Sequence, residues 1–139
     1  MQKSLLGYTE EKVRGFDLRL LVIDDTQDMT DAITFYCNTE KDLDCHVIND
    51  GQKALDIIRN EKFDLILLDL SIPDFSGMDV IASLKQDGFI ESRNIVIFTA
   101  STDQPMLKDI RDIGVKELFK KPFSLNALTE LIEKYRPTT

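Results

Sequence analysis

One short stretch, residues 63–69 (FDLILLD), constrains the fold of this chain more than any other. Its four consecutive apolar residues, 65–68, run directly into the carboxylate of Asp69. An apolar run of this length is typical of a strand buried on both faces, as in a parallel sheet covered by helices. Asp69 would then lie at the carboxyl end of the strand, at the edge of an open α/β sheet where ligands bind. We therefore expect the functional site around Asp69.

Four more segments have the composition of strands, and they alternate with helical patterns. These strands are predicted at residues 18–23, 45–48, 95–99 and 116–121. The first helix is indicated by apolar side chains at the spacing i, i+3, i+4, i+7, namely Met29, Ala32, Ile33 and Tyr36. Further helices are predicted near residues 54–60, 78–87, 105–113 and 125–135.

Single residues mark the ends of several of these helices. Thr26 or Asp28 can cap the first helix, and Ser124 is expected to cap the last. Pro105 suits the first turn of the fourth helix, and Gly114 is expected to terminate it.

The alternation of five strands with five helices predicts an α/β fold with a single parallel sheet, helices on both faces and right-handed crossovers. The strands that begin near residues 18, 63 and 95 are the most continuously apolar and are expected in the centre. The strands around Val47 and Leu118 contain polar residues, which suits the sheet edges. The strand order 2-1-3-4-5, that of a flavodoxin-like fold, satisfies both constraints.

Four of the predicted strands end in polar residues that a buried core does not require. These residues are Asp24 and Asp25, Asp69, Thr99, and Lys121. In the predicted sheet they share one edge, where two carboxylates about 4 Å apart would repel by roughly 4 kcal/mol at an effective dielectric constant near 20. A cation relieves this repulsion, and oxygen ligands without Cys or His favour a hard ion. We therefore expect a Mg²⁺ site.

The same edge is predicted to carry out phosphoryl transfer. Lys121 offers a positive charge to a phosphate, and the Thr99 hydroxyl offers a hydrogen bond. The phosphate-binding patterns GxxxxGK[ST] and GxGxxG are both absent from the sequence, which argues against an ATP-binding kinase or NTPase. Serine and histidine nucleophiles lack an activating partner, whereas an aspartate can itself attack phosphorus to give an acyl phosphate. Asp69 is therefore the central candidate.

Charge and hydropathy exclude several classes of partner. The net charge of −8 argues against direct binding of nucleic acid or an anionic membrane, since both demand a basic face. The longest apolar runs are far shorter than a bilayer span, so we expect a soluble cytoplasmic protein. We expect one domain over residues 18–136, an N-terminal extension over residues 1–17 with a short helical turn at residues 9–12, and a tail over residues 137–139.

Cysteine and histidine are scarce in this chain. Cys37 and Cys45 form no disulfide framework and no CxxC pair, and with His46 they have unusual spacing for a zinc site. We expect them to be buried, unreactive side chains on a helix end and a strand. Catalysis by His46 is not expected, because it lies in a strand pattern.

The chain resembles a response-regulator receiver domain of two-component signalling, from about residue 18 to residue 135. The resemblance rests on VIDD (22–25), LLD (67–69), IP (72–73) with Gly77, TA (99–100) and KPF (121–123), in order and at the expected strand ends. It implies that Asp69 is the phosphoacceptor. It also implies that Mg²⁺ binds to three carboxylates and one backbone carbonyl, those of Asp24, Asp25, Asp69 and Ser71.

The resemblance further assigns roles to the remaining residues and to partners. Thr99 would be the switch hydroxyl and Lys121 the phosphate partner, held before a cis Pro122. The phosphoryl donor would be a phosphohistidine on a sensor histidine kinase or a phosphotransfer protein. A face made by the fourth helix, fifth strand and fifth helix would pass the signal to a downstream protein target or output domain. Members of the family commonly form dimers through this face.

One position departs from the family pattern. The family usually carries Tyr, Phe or His three residues before the conserved lysine, and this chain has Leu118 there. Phe119 is adjacent but faces the other way on a strand. The departure puts a readout by aromatic rotation in question and leaves the phosphoryl-transfer residues complete.

Two other functions remain open from the sequence. A phosphohydrolase of the haloacid-dehalogenase type also uses a strand-end aspartate and Mg²⁺. Such enzymes require a second acidic residue two positions after that aspartate, where this chain has Ser71. A receiver-fold module that binds proteins without being phosphorylated is the alternative to the phosphoacceptor. We expect no output domain after Tyr135, and both a stand-alone regulator and a receiver from a longer protein stay open.

Overall fold

The computed structural model describes residues 17–40 and 42–137, and within these residues five strands alternate with five helices. The strands are β1 (Leu18–Ile23), β2 (Leu43–Ile48), β3 (Leu65–Asp69), β4 (Ile95–Thr99) and β5 (Glu117–Lys120). The helices are α1 (Gln27–Thr39), α2 (Gly51–Asn60), α3 (Gly77–Gln86), α4 (Gln104–Ile113) and α5 (Leu125–Lys134). The predicted helical turn at residues 9–12 lies outside the described residues.

The strands form one parallel sheet in the order β2-β1-β3-β4-β5. The predicted fold and strand order are therefore confirmed. The most apolar strands, β1, β3 and β4, occupy the centre, where every one of their residues is buried. The winding of the chain reverses between β1 and β3, so the carboxyl ends of these two strands lie side by side.

Helices cover both faces of the sheet. One core cluster joins alternate residues of the central strands to α2, α3 and α4, through side chains such as Leu55, Ile81 and Ile110. The other cluster joins the intervening strand residues to α1 and α5, through side chains such as Ile33 and Leu131. This two-sided burial explains why the central strands are continuously apolar rather than alternating.

Side-chain caps fix the start of four helices. Asp50, Ser76, Asp103 and Ser124 each accept a hydrogen bond from a backbone N–H in the first turn of α2, α3, α4 and α5. The predicted cap at Ser124, the early Pro105 and the end of α4 at Gly114 are confirmed. Helix α1 differs, because Thr26 occupies its N-cap position but makes no side-chain capping bond.

A buried arginine contacts the residues just before β3, which begins at Leu65 rather than at residue 63 as expected. Arg19 is 2% exposed, and its backbone N–H donates to Asp64 Oδ2 at 2.7 Å. Its guanidinium donates to Asp44 Oδ2 at 3.0 Å and to Glu61 Oε1 at 3.1 Å, and it lies 4.5 Å from the ring centroid of Phe63. Asp64 therefore takes part in the hydrogen bonds around Arg19, while Phe63 packs in the core cluster of α2, α3 and α4.

Cys37 and Cys45 form a disulfide bond, with their Cα atoms 6.2 Å apart. The expectation that they form no disulfide is therefore wrong, whereas their places on a helix end and a strand are confirmed. The physical reason is the packing of the last turn of α1 directly over β2, which spacing along the sequence does not reveal. No helix within the described residues is long and apolar enough to span a bilayer.

Candidate functional site

Three carboxylates meet at the carboxyl edge of the central strands. Asp24, Asp25 and Asp69 each present an oxygen, and these three atoms all lie within 4.8 Å of one another. Asp24 is fully buried and Asp69 is 4% exposed, whereas Asp25 is exposed. The winding reversal between β1 and β3 produces this meeting, as the strand-end pattern predicts.

The loop after β1 holds Asp24 in a fixed orientation. Its backbone N–H donates to the carbonyl of Ile48 at 3.1 Å, which continues the β1–β2 ladder by one residue. Its Oδ1 accepts a hydrogen bond from the backbone N–H of Thr26 at 2.8 Å. The second carboxylate oxygen is thereby left to face the site.

Lys121 places one positive charge between two of the carboxylates. Its Nζ lies 3.2 Å from Asp24 Oδ2 and 3.6 Å from Asp69 Oδ1. The ammonium also lies 4.7 Å from the ring centroid of Phe98, which gives it a cation–π contact. Lys120, the neighbouring lysine, is exposed. The two adjacent lysines are thus distinguished by structure, and Lys121 is the one at the acidic edge.

The backbone around Lys121 sets its position. Lys121 follows the last residue of β5, and its N–H donates to the carbonyl of Thr99 at 2.9 Å. The peptide bond to Pro122 is cis, as the family resemblance implies. The predicted strand therefore ends one residue early, while its pairing with the end of β4 continues.

Asp69 lies in an environment that disfavours its ionised form. Burial raises the pKa of the Asp69 carboxyl above its ordinary value, and the negative charge of Asp24 raises it further. Lys121 opposes this rise, and so does the backbone N–H of Ser71, which donates to Asp69 Oδ1 at 3.3 Å. The pKa of Asp69 is raised overall, so a further positive charge nearby would stabilise the ionised carboxylate.

Thr99 and Ser71 flank this edge. Thr99 is 9% exposed at the end of β4, and its Oγ1 accepts a hydrogen bond from the backbone N–H of Ser101 at 3.0 Å. Ser71 is exposed and reaches Asp69 through its backbone N–H.

The donor set suits a hard divalent cation. Three carboxylates gather here without any Cys or His, and a single lysine offsets part of their charge. Oxygen-only donors that leave coordination positions open are typical of Mg²⁺ sites that also bind phosphate. The residues present therefore fit the ion that the sequence predicts.

Two further residues support the site. Phe98 was not recognised from the sequence as part of it, whereas Gly77 belongs to the motifs that carry the family resemblance. Phe98 faces Lys121 with its ring, and Gly77 lets the start of α3 approach the end of β3. A Cβ atom on Gly77 would lie 2.7 Å from Leu70 Cα and closer still to the Asp69 carbonyl oxygen. The signal for Gly77 is its place just before a helical pattern, after a loop that contains Pro73.

Leu118 and Phe119 point to opposite faces of the sheet. Leu118 packs against the core cluster that contains α4, while Phe119 packs in the cluster of α1 and α5, 4.8 Å from Phe123 between ring centroids. A cavity of about 240 Å³ lies between α4 and β5, lined by Thr99, Leu118 and neighbouring residues. Phe119 therefore does not take the place of the missing aromatic residue in the α4 cluster.

Comparison with known sequences identifies similar proteins. The model of the response regulator receiver domain matches residues 20–133 of the chain. Sporulation initiation phosphotransferase F of Bacillus subtilis is 29% identical over 119 residues, which cover 86% of this chain and 94% of that protein. The DNA-binding response regulator MtrA of Mycobacterium leprae is 35% identical over 105 residues, which cover 76% of this chain and 45% of that protein. The chain thus spans nearly all of the first relative and less than half of the second.

Solved structures share the fold. The receiver domain of Francisella response regulator 1452 superposes with a TM-score of 0.74 at 23% identity, covering 85% of this chain and 95% of that one. The receiver domain of the sensor histidine kinase PA1611 from Pseudomonas aeruginosa, with a magnesium ion coordinated in its active-site cleft, gives a TM-score of 0.73 at 18% identity and covers 85% of this chain and 96% of that one. At these identities the likeness establishes the fold.

Proposed function

This chain belongs to the response regulator receiver domain family, whose model matches residues 20–133, and from that premise we propose that Asp69 is its site of phosphorylation. The protein is a receiver domain of two-component signalling. The observation that carries the assignment is the Lys121 ammonium, which lies 3.6 Å from Asp69 and 3.2 Å from Asp24. A phosphoryl group on Asp69 would find this charge within reach of its oxygens.

The proposed donor is a phosphohistidine on a sensor histidine kinase or a phosphotransfer protein. A carboxylate oxygen of Asp69 attacks the phosphorus, a new O–P bond forms and the N–P bond of the donor breaks. The electron pair stays on the imidazole nitrogen, which takes up a proton. Lys121 and the Thr99 hydroxyl bind the oxygens of the transferred group, so the chain acts by positioning and charge neutralisation.

The proposed metal ligands are the carboxylates of Asp24, Asp25 and Asp69 and the backbone carbonyl of Ser71. Support comes from the three carboxylate oxygens within 4.8 Å of one another. Mg²⁺, when bound, supplies positive charge to the phosphoryl oxygens and to the crowded carboxylates. The same charge favours the ionised, nucleophilic form of Asp69, whose pKa is otherwise raised by burial.

The chain is proposed to act as a phosphoacceptor that assists its own phosphorylation and dephosphorylation, without turnover of a separate substrate. It would work in the cytoplasm, where its phosphoryl donors are available. The receiver domain would extend over residues 18–136, with residues 1–17 as an extension and residues 137–139 as a tail.

The proposed output surface is the face of α4, β5 and α5. Capture of the phosphoryl oxygens by Thr99 and Lys121 would shift this face between two conformations. A downstream protein or output domain would bind the shifted face, and two copies of the chain could pair through it. Because Leu118 replaces the usual aromatic residue, the shift would proceed through Thr99 and α4 rather than through ring rotation.

Phosphorylation by a small acyl phosphate tests the assignment. The folded protein is incubated with acetyl phosphate and Mg²⁺ and weighed intact by mass spectrometry. We expect one added phosphoryl group in the wild type and in Asp112→Asn, an exposed aspartate of α4, and none in Asp69→Asn or when EDTA replaces Mg²⁺.

Two outcomes would count against the proposal. A phosphoryl group that persists in Asp69→Asn would place the acceptor elsewhere. A folded wild type that neither binds Mg²⁺ nor gains a phosphoryl group would favour the protein-binding module that works without phosphorylation.

A further inference from the structure

The disulfide bond connects helix α1 to an edge strand. Cys37 lies in the last turns of α1 and Cys45 in the middle of β2. The sequence contains two cysteines, so this is the one disulfide that can form within the chain. Cys37 is 7% exposed, whereas Cys45 is half-buried. Cys45 is therefore the more exposed residue of the two.

Helix α1 depends on Cys37 for much of its attachment to the sheet. Of its 13 residues, Ile33 and Cys37 are the ones that are buried. Helices α2 and α3 each bury four residues over 10, α5 buries three over 10, and α4 buries two over 10. Helix α1 also lacks a side-chain N-cap and has no basic residue in its last turn. Few buried apolar contacts are the mark of an element that opens easily.

The side-chain hydrogen bonds at this end of α1 are exposed, while the half-buried Tyr36 packs against the edge of the core cluster. The hydroxyl of Tyr36 lies 2.8 Å from Thr129 Oγ1 on α5, and the Thr39 hydroxyl donates to the Tyr36 carbonyl at 2.7 Å. Exposed hydrogen bonds exchange readily with water and add little net stability. The covalent bond from Cys37 is therefore the strongest single tie between the end of α1 and the sheet.

The other end of α1 adjoins the acidic site. The helix begins two residues after Asp25, and the N–H of Thr26, its N-cap residue, donates to Asp24 at 2.8 Å. A change in the local stability of α1 therefore also changes how firmly the loop before it holds Asp24.

The reducing chemistry of the cytoplasm, the expected compartment, affects the disulfide between Cys37 and Cys45. Reducing agents in the cytoplasm keep most thiols reduced, and the disulfides that do form there are usually transient or redox-sensing. A bonded pair in which one cysteine is only half-buried suits exchange with small thiols, because attack on the bond needs an approach from solvent.

We propose that Cys37 and Cys45 form a reversible thiol–disulfide site, that low-molecular-weight thiols and their disulfides are its reactants, and that its oxidation fixes α1 on the sheet. The site lies outside the residues assigned to phosphorylation and requires no phosphoryl group.

The oxidation proceeds by two exchange steps. The Cys45 thiolate attacks one sulfur of a small disulfide RSSR, the S–S bond breaks and one RS⁻ leaves, which gives a mixed disulfide. The Cys37 thiolate then attacks Cys45 Sγ, forms the internal disulfide and releases the second RS⁻. Two protein thiols are oxidised and RSSR is reduced to two RSH, with the two cysteine protons ending on the released thiols. Reduction is the reverse reaction.

Thiol counting and hydrogen exchange test the proposal on the full chain. The native protein is cycled between oxidised and reduced glutathione, then alkylated under denaturing conditions and weighed. We expect no added alkyl groups after oxidation, two after reduction and none again after reoxidation. Amides of α1 should exchange about tenfold or more faster in the reduced protein, while those of α3 stay unchanged.

The Cys45→Ser variant is the matched control. It cannot form the bond, so α1 should exchange at the rate of the reduced wild type whether or not reductant is present. Two alkyl groups after treatment with oxidised glutathione, or a glutathione adduct that never converts to the internal bond, would overturn the proposal. Equal exchange of α1 in the oxidised and reduced wild type would overturn the claim that the bond fixes the helix.

Discussion

Lys121 is the residue on which the charge balance of the acidic site depends. It contacts two of the three carboxylates, and its neighbour Lys120 has the same chemistry but is exposed. Substitutions of Lys120 and Lys121 can therefore be compared, because the two residues have the same side chain and adjacent positions in the sequence and differ in whether they lie at the acidic site.

We expect Lys121→Met to lower the rate of phosphorylation by acetyl phosphate about a hundredfold, since removal of one positioned charge from a phosphoryl-transfer site has effects of that order. Lys120→Met should stay within about twofold of the wild type. The rates can be measured by intact mass over time with Mg²⁺ in excess. Equal rates for the two variants would show that Lys121 does not bind the phosphoryl group.

Asp69 should make the stability of the protein depend on pH in a direction opposite to that of most carboxyl groups. Because its pKa is raised in the folded state, mainly by burial, the folded protein binds this proton more tightly than the unfolded chain does. Its contribution to stability is thus full below the pKa of the unfolded chain and is lost as pH rises through the folded-state pKa. At neutral pH the ionised carboxylate destabilises the fold.

The corresponding prediction concerns Asp69→Asn in the presence of EDTA. The variant should have a higher free energy of unfolding than the wild type at pH 7, and the difference should shrink as the pH falls toward the ordinary carboxyl range. Urea denaturation at a series of pH values measures both. The exposed Asp112→Asn should show no such trend, and a lower stability of Asp69→Asn at pH 7 would contradict the charge argument.

At the scale of elements, close packing of α3 against the end of β3 fixes the position of Asp69. Gly77 lies against the Leu70 backbone, and its N–H donates to the Leu70 carbonyl at 3.1 Å. We expect Gly77→Ala to lower the free energy of unfolding by about 1–3 kcal/mol, because the added methyl group meets backbone atoms that cannot turn aside. It should also slow phosphorylation by displacing Asp69.

Chemical denaturation and the acetyl phosphate assay would measure both effects of Gly77→Ala. Gln86→Ala, at the exposed end of the same helix, should change neither quantity appreciably. A Gly77→Ala protein as stable and reactive as the wild type would mean that α3 can move away without disturbing the site.

The elements themselves were largely predictable from the sequence, and the exceptions have physical causes. The central strands are apolar because helices cover both faces, so their residue pattern is unambiguous. The strand order follows from which strands tolerate polar residues at an edge. The approach of Asp24 and Asp69 follows in turn, because β1 and β3 are neighbours in that order, and the Lys121 side chain reaches both from β5, beyond the end of β4.

Contacts between side chains on different elements were not predictable in this way. The bond between Cys37 and Cys45 depends on how α1 packs on β2, which periodicity does not specify. The partners of Arg19 likewise come from β2 and from the segment after α2. Only the folded chain shows that the acidic side chains of Asp44 and Glu61 compensate the charge of Arg19.

For the whole molecule, the acidic site should make stability depend on divalent cations. A ligand that binds only the folded state raises its stability by about 2.7 kcal/mol at a concentration 100 times its dissociation constant. We expect Mg²⁺ to raise the free energy of unfolding of the wild type by that order at saturation, and to have little effect on Asp24→Asn.

Ionic strength needs a control in this measurement, because the net charge of −8 makes any salt favourable to the compact state. Potassium chloride at matched ionic strength should reproduce the small general effect in both proteins and leave the Mg²⁺ difference visible. Equal stabilisation of the wild type and Asp24→Asn by Mg²⁺ would show that the cation acts only through screening.

The distance along the chain between the parts of the acidic site offers a tool for fragment complementation. Asp24 and Asp69 precede the loop of residues 87–94, whereas Lys121 follows it. A chain divided within that loop gives one fragment with both carboxylates and another with their ammonium. Neither fragment alone can rebuild the centre, so recovered reactivity of Asp69 would report the reassembly of two separately expressed halves.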